Sequence, residues 1–131
     1  MADYEIPDEL LYSREDEWVR VESDNRLTVG VTDYAQQQLG DIVFVELPEI
    51  GLELHPGDSF GVIESVKAVS DLYAPVAGTV VEVNPLLEER PEAVNEDCYG
   101  DGWMVVLEGA DAEPELLSAQ EYREHVEERG D

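Results

Sequence analysis

Positive charge is scarce in this sequence. Seven arginines and lysines stand against 33 aspartates and glutamates, a formal net charge of −26 at pH 7. No cationic cluster offers a footprint for phosphates, so a nucleic-acid groove is excluded, and attraction to an anionic membrane fails for the same reason. Cysteine is limited to Cys98. It can form neither an intramolecular disulfide nor a C-x-x-C pair, so any dithiol chemistry has to come from a cofactor, and Cys98 reads as an ordinary structural residue. The two histidines, His55 and His125, stand 70 positions apart, far from any zinc-type spacing. No apolar run approaches the roughly 18 residues of a membrane span, and the opening Met1-Ala-Asp-Tyr-Glu5 lacks the basic-then-apolar pattern of a signal peptide. The expectation is a soluble, cytoplasmic protein with no metal, nucleic-acid or membrane partner.

The acids that are present recur from Asp3 to Asp131 rather than gathering in one tail. An acidic docking surface for a basic partner is one reading. Adaptation to a salty cytoplasm fits the dispersion better, because at molar salt the Debye length is about 3 Å and a self-repelling surface becomes tolerable. A halophilic source is therefore expected. Six of the seven basic residues are arginines, leaving Lys67 as the single lysine. Either chance in a lysine-poor composition or a task reserved for a primary amine accounts for it.

At 131 residues with no linker signal, the chain reads as one domain, 1–131, able to bury roughly two-thirds of its unfolded surface. β-type segments dominate: Glu17–Glu22, Leu27–Val31, Asp41–Leu47, Ser59–Ser65, Val69–Tyr73, Gly78–Val83 and Trp103–Leu107. Short strands broken by Gly and Pro predict an all-β sandwich or barrel. His55-Pro-Gly-Asp58 carries the Pro-Gly order of a type II turn. Helices are expected at Asp33–Gly40, with Asp33 as N-cap, at Asn84–Glu89, and after the Ser118-x-x-Glu121 capping box, where Tyr122 and Val126 share a face against the sheet.

Lys67 falls between two β segments separated by Val66-Lys67-Ala68, room only for a tight hairpin turn. The amine is thus expected at a tip, in water, where modifying enzymes can reach it; a solvated turn lysine is the plainer alternative. A Schiff-base or general-base lysine needs burial or a neighbouring cation, whereas Glu64-Ser-Val-Lys67-Ala-Val-Ser-Asp71 supplies only acids. Gly57-Asp-Ser-Phe-Gly61 matches G-x-S-x-G, but that elbow requires a helix after the turn and the residues that follow are β-like. No enzyme is expected.

The segment Gly61-Val-Ile-Glu-Ser-Val-Lys67-Ala-Val-Ser-Asp-Leu-Tyr-Ala-Pro-Val-Ala-Gly78 closely resembles the lipoyl-attachment region of glycine cleavage system H proteins. Glu17-Trp-Val19, Gly30–Gln36, Leu39–Pro48, Val94-Asn-Glu-Asp97 and Tyr99-Gly-Asp-Gly-Trp103 are similar to that family in the same order, from about Tyr12 to Glu128. The resemblance implies a barrel-sandwich hybrid of two small sheets with short helices and a C-terminal helix, and lipoic acid amide-linked to Lys67 by a lipoate-attaching enzyme. It implies three partners: a PLP-dependent glycine decarboxylase that loads an aminomethyl group, a tetrahydrofolate-dependent aminomethyltransferase that removes it, and a dihydrolipoyl dehydrogenase that reoxidises the arm. In similar proteins the loaded arm folds into a cleft where acids hold its ammonium; the matching residues are Glu17 and Asp71. Arg14-Glu-Asp-Glu17 departs from the pattern by lacking the histidine many relatives carry before the glutamate. Related carriers remain alternatives: a lipoyl domain of a 2-oxoacid dehydrogenase, though linkers and a catalytic domain are absent, a lipoyl relay in cofactor assembly, or a biotin carrier, whose lysine usually lies between methionines rather than Val66 and Ala68.

Overall fold

In the computed structural model, which describes residues 4–23, 25–109 and 116–128, all seven expected β segments form strands. In chain order the elements are β1 (Leu11–Tyr12), β2 (Glu17–Ser23), β3 (Arg26–Val31), α1 (Asp33–Leu39), β4 (Ile42–Glu46), β5 (Glu53–Leu54), β6 (Ser59–Ser65), β7 (Val69–Tyr73), β8 (Gly78–Val83), α2 (Leu86–Glu89), α3 (Ala93–Glu96), β9 (Val105–Glu108) and α4 (Ala119–Glu128). Two antiparallel sheets result: six strands in the order β1-β2-β3-β9-β8-β5, and three in the order β4-β6-β7. Among the described residues no helix is long and apolar enough to cross a membrane.

The principal core lies between the sheets. Alternation sends Val29, Val31, Val80 and Leu107 inward from the larger sheet to meet Ile42, Val45, Ile63 and Leu72 from the smaller one. A second cluster sits under α4, where Tyr122 stacks on Tyr12 with ring centroids 4.7 Å apart and planes 8° apart. Trp18 joins this cluster and donates from its indole Nε1 to the Cys98 carbonyl at 2.9 Å. Tyr122 also links a hydrogen-bond chain. The Ala35 N–H donates to Thr32 Oγ1, which meets Tyr122 Oη at 2.7 Å, and Tyr122 donates to Asp16 Oδ1 at 2.9 Å.

Several details differ from expectation. Thr32, not Asp33, caps α1; it has the extended φ and ψ of an N-cap and its hydroxyl accepts from Ala35 N. Asp33 lies in the first turn, where its charge favours the helix N-terminus. β1, β5 and α3 were not foreseen, being too short to show a period. The strand expected from Trp103 begins at Val105, and Asp41 and Leu47 lie outside β4. The Ser118 capping box is formed: Glu121 N donates to Ser118 Oγ at 3.2 Å and Ser118 N donates to Glu121 Oε1 at 2.9 Å.

Candidate functional site

β6 and β7 form the hairpin that carries Lys67. Across its turn Ser65 N donates to Ala68 O at 2.8 Å. Ser65 Oγ, pointing into the turn, accepts from Ala68 N at 3.0 Å and Lys67 N at 3.3 Å. A three-residue link thus closes without glycine because a serine side chain supplies the missing acceptor. Val66, Lys67 and Ala68 are all exposed. From outside the hairpin, Val66 N donates to Asp41 O at 3.0 Å. The Lys67 stem runs over Gly40: a Cβ placed there would lie 3.6 Å from Lys67 Cε. Gly40 closes α1 with φ +84°, a conformation that itself favours glycine.

Beside this lysine lies a cavity of about 180 Å³, lined by Val31, Leu39, Ile63 and Ser70 and by both expected acids, Glu17 and Asp71. It is smaller than the roughly 300–1,000 Å³ of typical small-molecule pockets. Leu39 in its wall immediately precedes the Gly40 beside the Lys67 stem, so the end of α1 lies next to both, although Lys67 itself is not among the lining residues.

The two acids occupy unlike settings. Glu17 is only 2% exposed. Its Oε1 accepts from Ser13 Oγ at 2.6 Å and its Oε2 from Tyr73 N, on the free edge of β7, at 3.2 Å. Burial pushes its carboxyl up from the usual range to about 8, against those two hydrogen bonds, which pull the other way. Asp71 is exposed, and among the described residues its carboxylate takes a 3.4 Å contact from the Tyr73 hydroxyl. The two expected acids therefore differ, Glu17 fixed and desolvated and Asp71 solvated, and Glu15 and Asp16 also line the cavity.

Ser13 and Tyr73 were not singled out from sequence. A lone serine four residues before a glutamate, and a backbone amide, leave no pattern to read. The G-x-S-x-G match resolves as turn then strand: Asp58 N closes on His55 O at 3.0 Å with Gly57 at φ +90°, and Ser59 opens β6. Cys98 is buried, which pushes its thiol up and away from thiolate chemistry.

Residues 10–129 match the family model for the glycine cleavage H-protein. The chain belongs to the glycine cleavage H-protein family. It is 58% identical over 124 residues to the glycine cleavage system H protein of Rubrobacter xylanophilus, covering 95% of this chain and 97% of that one. It is 56% identical over 125 residues to that of Halalkalibacterium halodurans, covering 94% and 97%. The crystal structure of a glycine cleavage system H protein from Mycobacterium marinum superposes with a TM-score of 0.85 at 38% identity, over 95% of this chain and 99% of that one. Membership makes this chain a lipoyl carrier of glycine cleavage rather than an enzyme.

Proposed function

We propose that Lys67 holds lipoate as an amide and that residues 1–131 act as one carrier domain. The observation that carries this reading is the position of the only lysine, exposed at a hairpin tip with its stem crossing Gly40, one residue from the wall of a cavity that contains a buried acid. The fit is good: an exposed amine is open to acylation, and a small, partly apolar cavity ending in Glu17 suits the end of a thin arm bearing an ammonium. When bound, the lipoyl group supplies a disulfide that opens to a dithiol, the chemistry that buried Cys98 lacks.

The roles of the chain's own groups follow. Val31, Leu39 and Ile63 exclude water from the arm's end. Glu17 accepts from the ammonium, held in place by Ser13 and the Tyr73 amide. A cation brought beside it restores the carboxylate that burial disfavours, in a charge-assisted hydrogen bond. Asp71 adds long-range attraction from the rim. An exposed tip suits a carrier that visits several enzymes in turn: the lipoate-attaching enzyme, the PLP-dependent glycine decarboxylase, the tetrahydrofolate-dependent aminomethyltransferase and dihydrolipoyl dehydrogenase. The setting is the cytoplasm, and the dispersed acidity suits one rich in salt, consistent with a halophilic source.

Intact mass of the protein from its native host tests the reading. A lipoyl increment on the parent that vanishes in Lys67→Arg is expected; a biotinyl increment, or none, would overturn it. Glycine-dependent CO₂ exchange with the decarboxylase then separates a glycine-cleavage carrier from a lipoyl relay.

A further inference from the structure

α3 is a single helical turn with no side-chain cap, yet it places one half-buried amide at a junction of three elements. Asn95 Oδ1 accepts from Ile42 N at 2.8 Å. Its Nδ2 donates to Gly40 O at 2.8 Å and to Gln36 Oε1 at 2.8 Å. The amide thus fills both of its donors and one acceptor site with groups from the last turn of α1, the link after it and the first residue of β4. Gly40 O and Ile42 N belong to no regular ladder at that point, and Asn95 satisfies both.

Between these two clamped groups stands Asp41. Its carbonyl receives Val66 N–H at 3.0 Å, while Gly40 supports the Lys67 stem. Beyond the hydrogen bonds to Ser65 the tip has little side-chain packing, since Val66 and Val69 are each 69% exposed. A short continuous route therefore runs from Asn95 through Gly40–Ile42 to Val66 and Lys67. An enzyme that acylates a single amine has to order that amine on docking, and a tip ordered beforehand lowers that cost.

We propose that Asn95 is a positioning residue for modification of Lys67, holding the Gly40–Ile42 link so that the hairpin tip presents its amine in one place. This rests on the reading that Lys67 is the site of acylation. Asn95 touches neither the amine nor the arm; it acts through Asp41 and Gly40.

The test compares the full-length parent with Asn95→Ala, the milder Gln36→Ala, which removes one of the three hydrogen bonds, and Ser118→Ala, which weakens α4 far from the tip. Amide hydrogen exchange of Val66 is measured against Val29 and Leu107 in the core. Initial rates of lipoate transfer are measured with lipoic acid, ATP and a lipoate-attaching ligase at subsaturating carrier. Asn95→Ala is expected to speed Val66 exchange and slow lipoylation, each by about tenfold or more, given that several net hydrogen bonds are lost. Gln36→Ala is expected to do the same more weakly, and Ser118→Ala to do neither. Val66 exchange that is unchanged, or that rises only in step with Val29 and Leu107, overturns the clamp. Faster Val66 exchange with lipoylation at the parent rate overturns its role in modification. A parent that takes up no lipoyl group on Lys67 while Val66 still loosens in Asn95→Ala instead overturns the assignment of Lys67, and with it the modification role, leaving the clamp intact.

Discussion

Glu17 ties the pH behaviour of the protein to its cavity. Its carboxyl sits near 8 when folded, against 4.5 for the ordinary group, because burial penalises the charge. The folded state therefore holds this proton more tightly than the unfolded chain does. The contribution to stability is complete below about pH 4.5 and is lost as pH rises through about 8. Glu17→Gln, which cannot ionise, is expected to flatten the decline in Tm between pH 5 and pH 8 relative to the parent, as read by thermal melts in matched buffers. In the loaded carrier, Glu17→Ala is expected to release ammonia faster than the parent, and more so than Asp71→Ala, because only Glu17 is desolvated and held at fixed geometry. Equal release from all three would exclude a cavity role for both acids. At this scale Lys67 and both acids could be picked out from sequence, by rarity and by family resemblance. Their ranking could not, since the difference is exposure and hydrogen bonding rather than residue type.

At the scale of elements, the hairpin and the helices depend on a few close approaches. β6 lies so close to β4 that a Cβ at Gly61 would collide with the Glu46 carbonyl oxygen, which is backbone and has no freedom to move aside. Gly61→Ala is expected to destabilise by about 1–3 kcal/mol, measured by urea unfolding. α4 is held by its capping box and by Tyr122. Ser118→Ala is expected to cost about 1 kcal/mol, and Tyr122→Phe about 1–3 kcal/mol, because Thr32 and Asp16 lose a shared partner in a buried network. The capping box was readable because its residues lie three apart in the chain. The cap of α1 is not decided by sequence, since Thr32 and Asp33 are both good caps and only the extended backbone at Thr32 chooses between them. The isolated turn of α3 was invisible for a different reason: four residues carry no period, and its worth lies in contacts more than 50 positions away.

For the molecule as a whole, charge is the dominant property. Among the described residues four arginines, at 20, 26, 90 and 123, make half-exposed ion pairs with acids, but the net −26 is already counted after every cation and stays unopposed. Exposed pairs of this kind contribute little, roughly 0–1 kcal/mol each. Repulsion among the remaining acids is long-ranged in dilute buffer, where the Debye length is about 30 Å at 0.01 M, and short-ranged in molar salt. Tm is accordingly expected to rise steadily from dilute buffer to molar KCl, and a flat profile would sink the salt-adapted reading. The arrangement of the two sheets has the opposite origin, in apolar alternation that salt leaves in place.

Composition and local pattern by themselves determined the acidic surface, the seven strand segments, the tight turn at Lys67 and the lone amine on it. These are short-range properties, readable wherever a period of two, a turn residue or a capping pair occurs within a few positions. Tertiary structure alone decided that Glu17 is buried at the edge of β7, that Leu39 and Gly40 join the cavity to the lysine, and that Asn95 fastens the loop on which the hairpin tip rests. Each depends on a hydrogen bond or an approach between residues far apart in the chain, set by how two sheets close on a shared core. The lysine is named by its rarity; what surrounds it is fixed by packing.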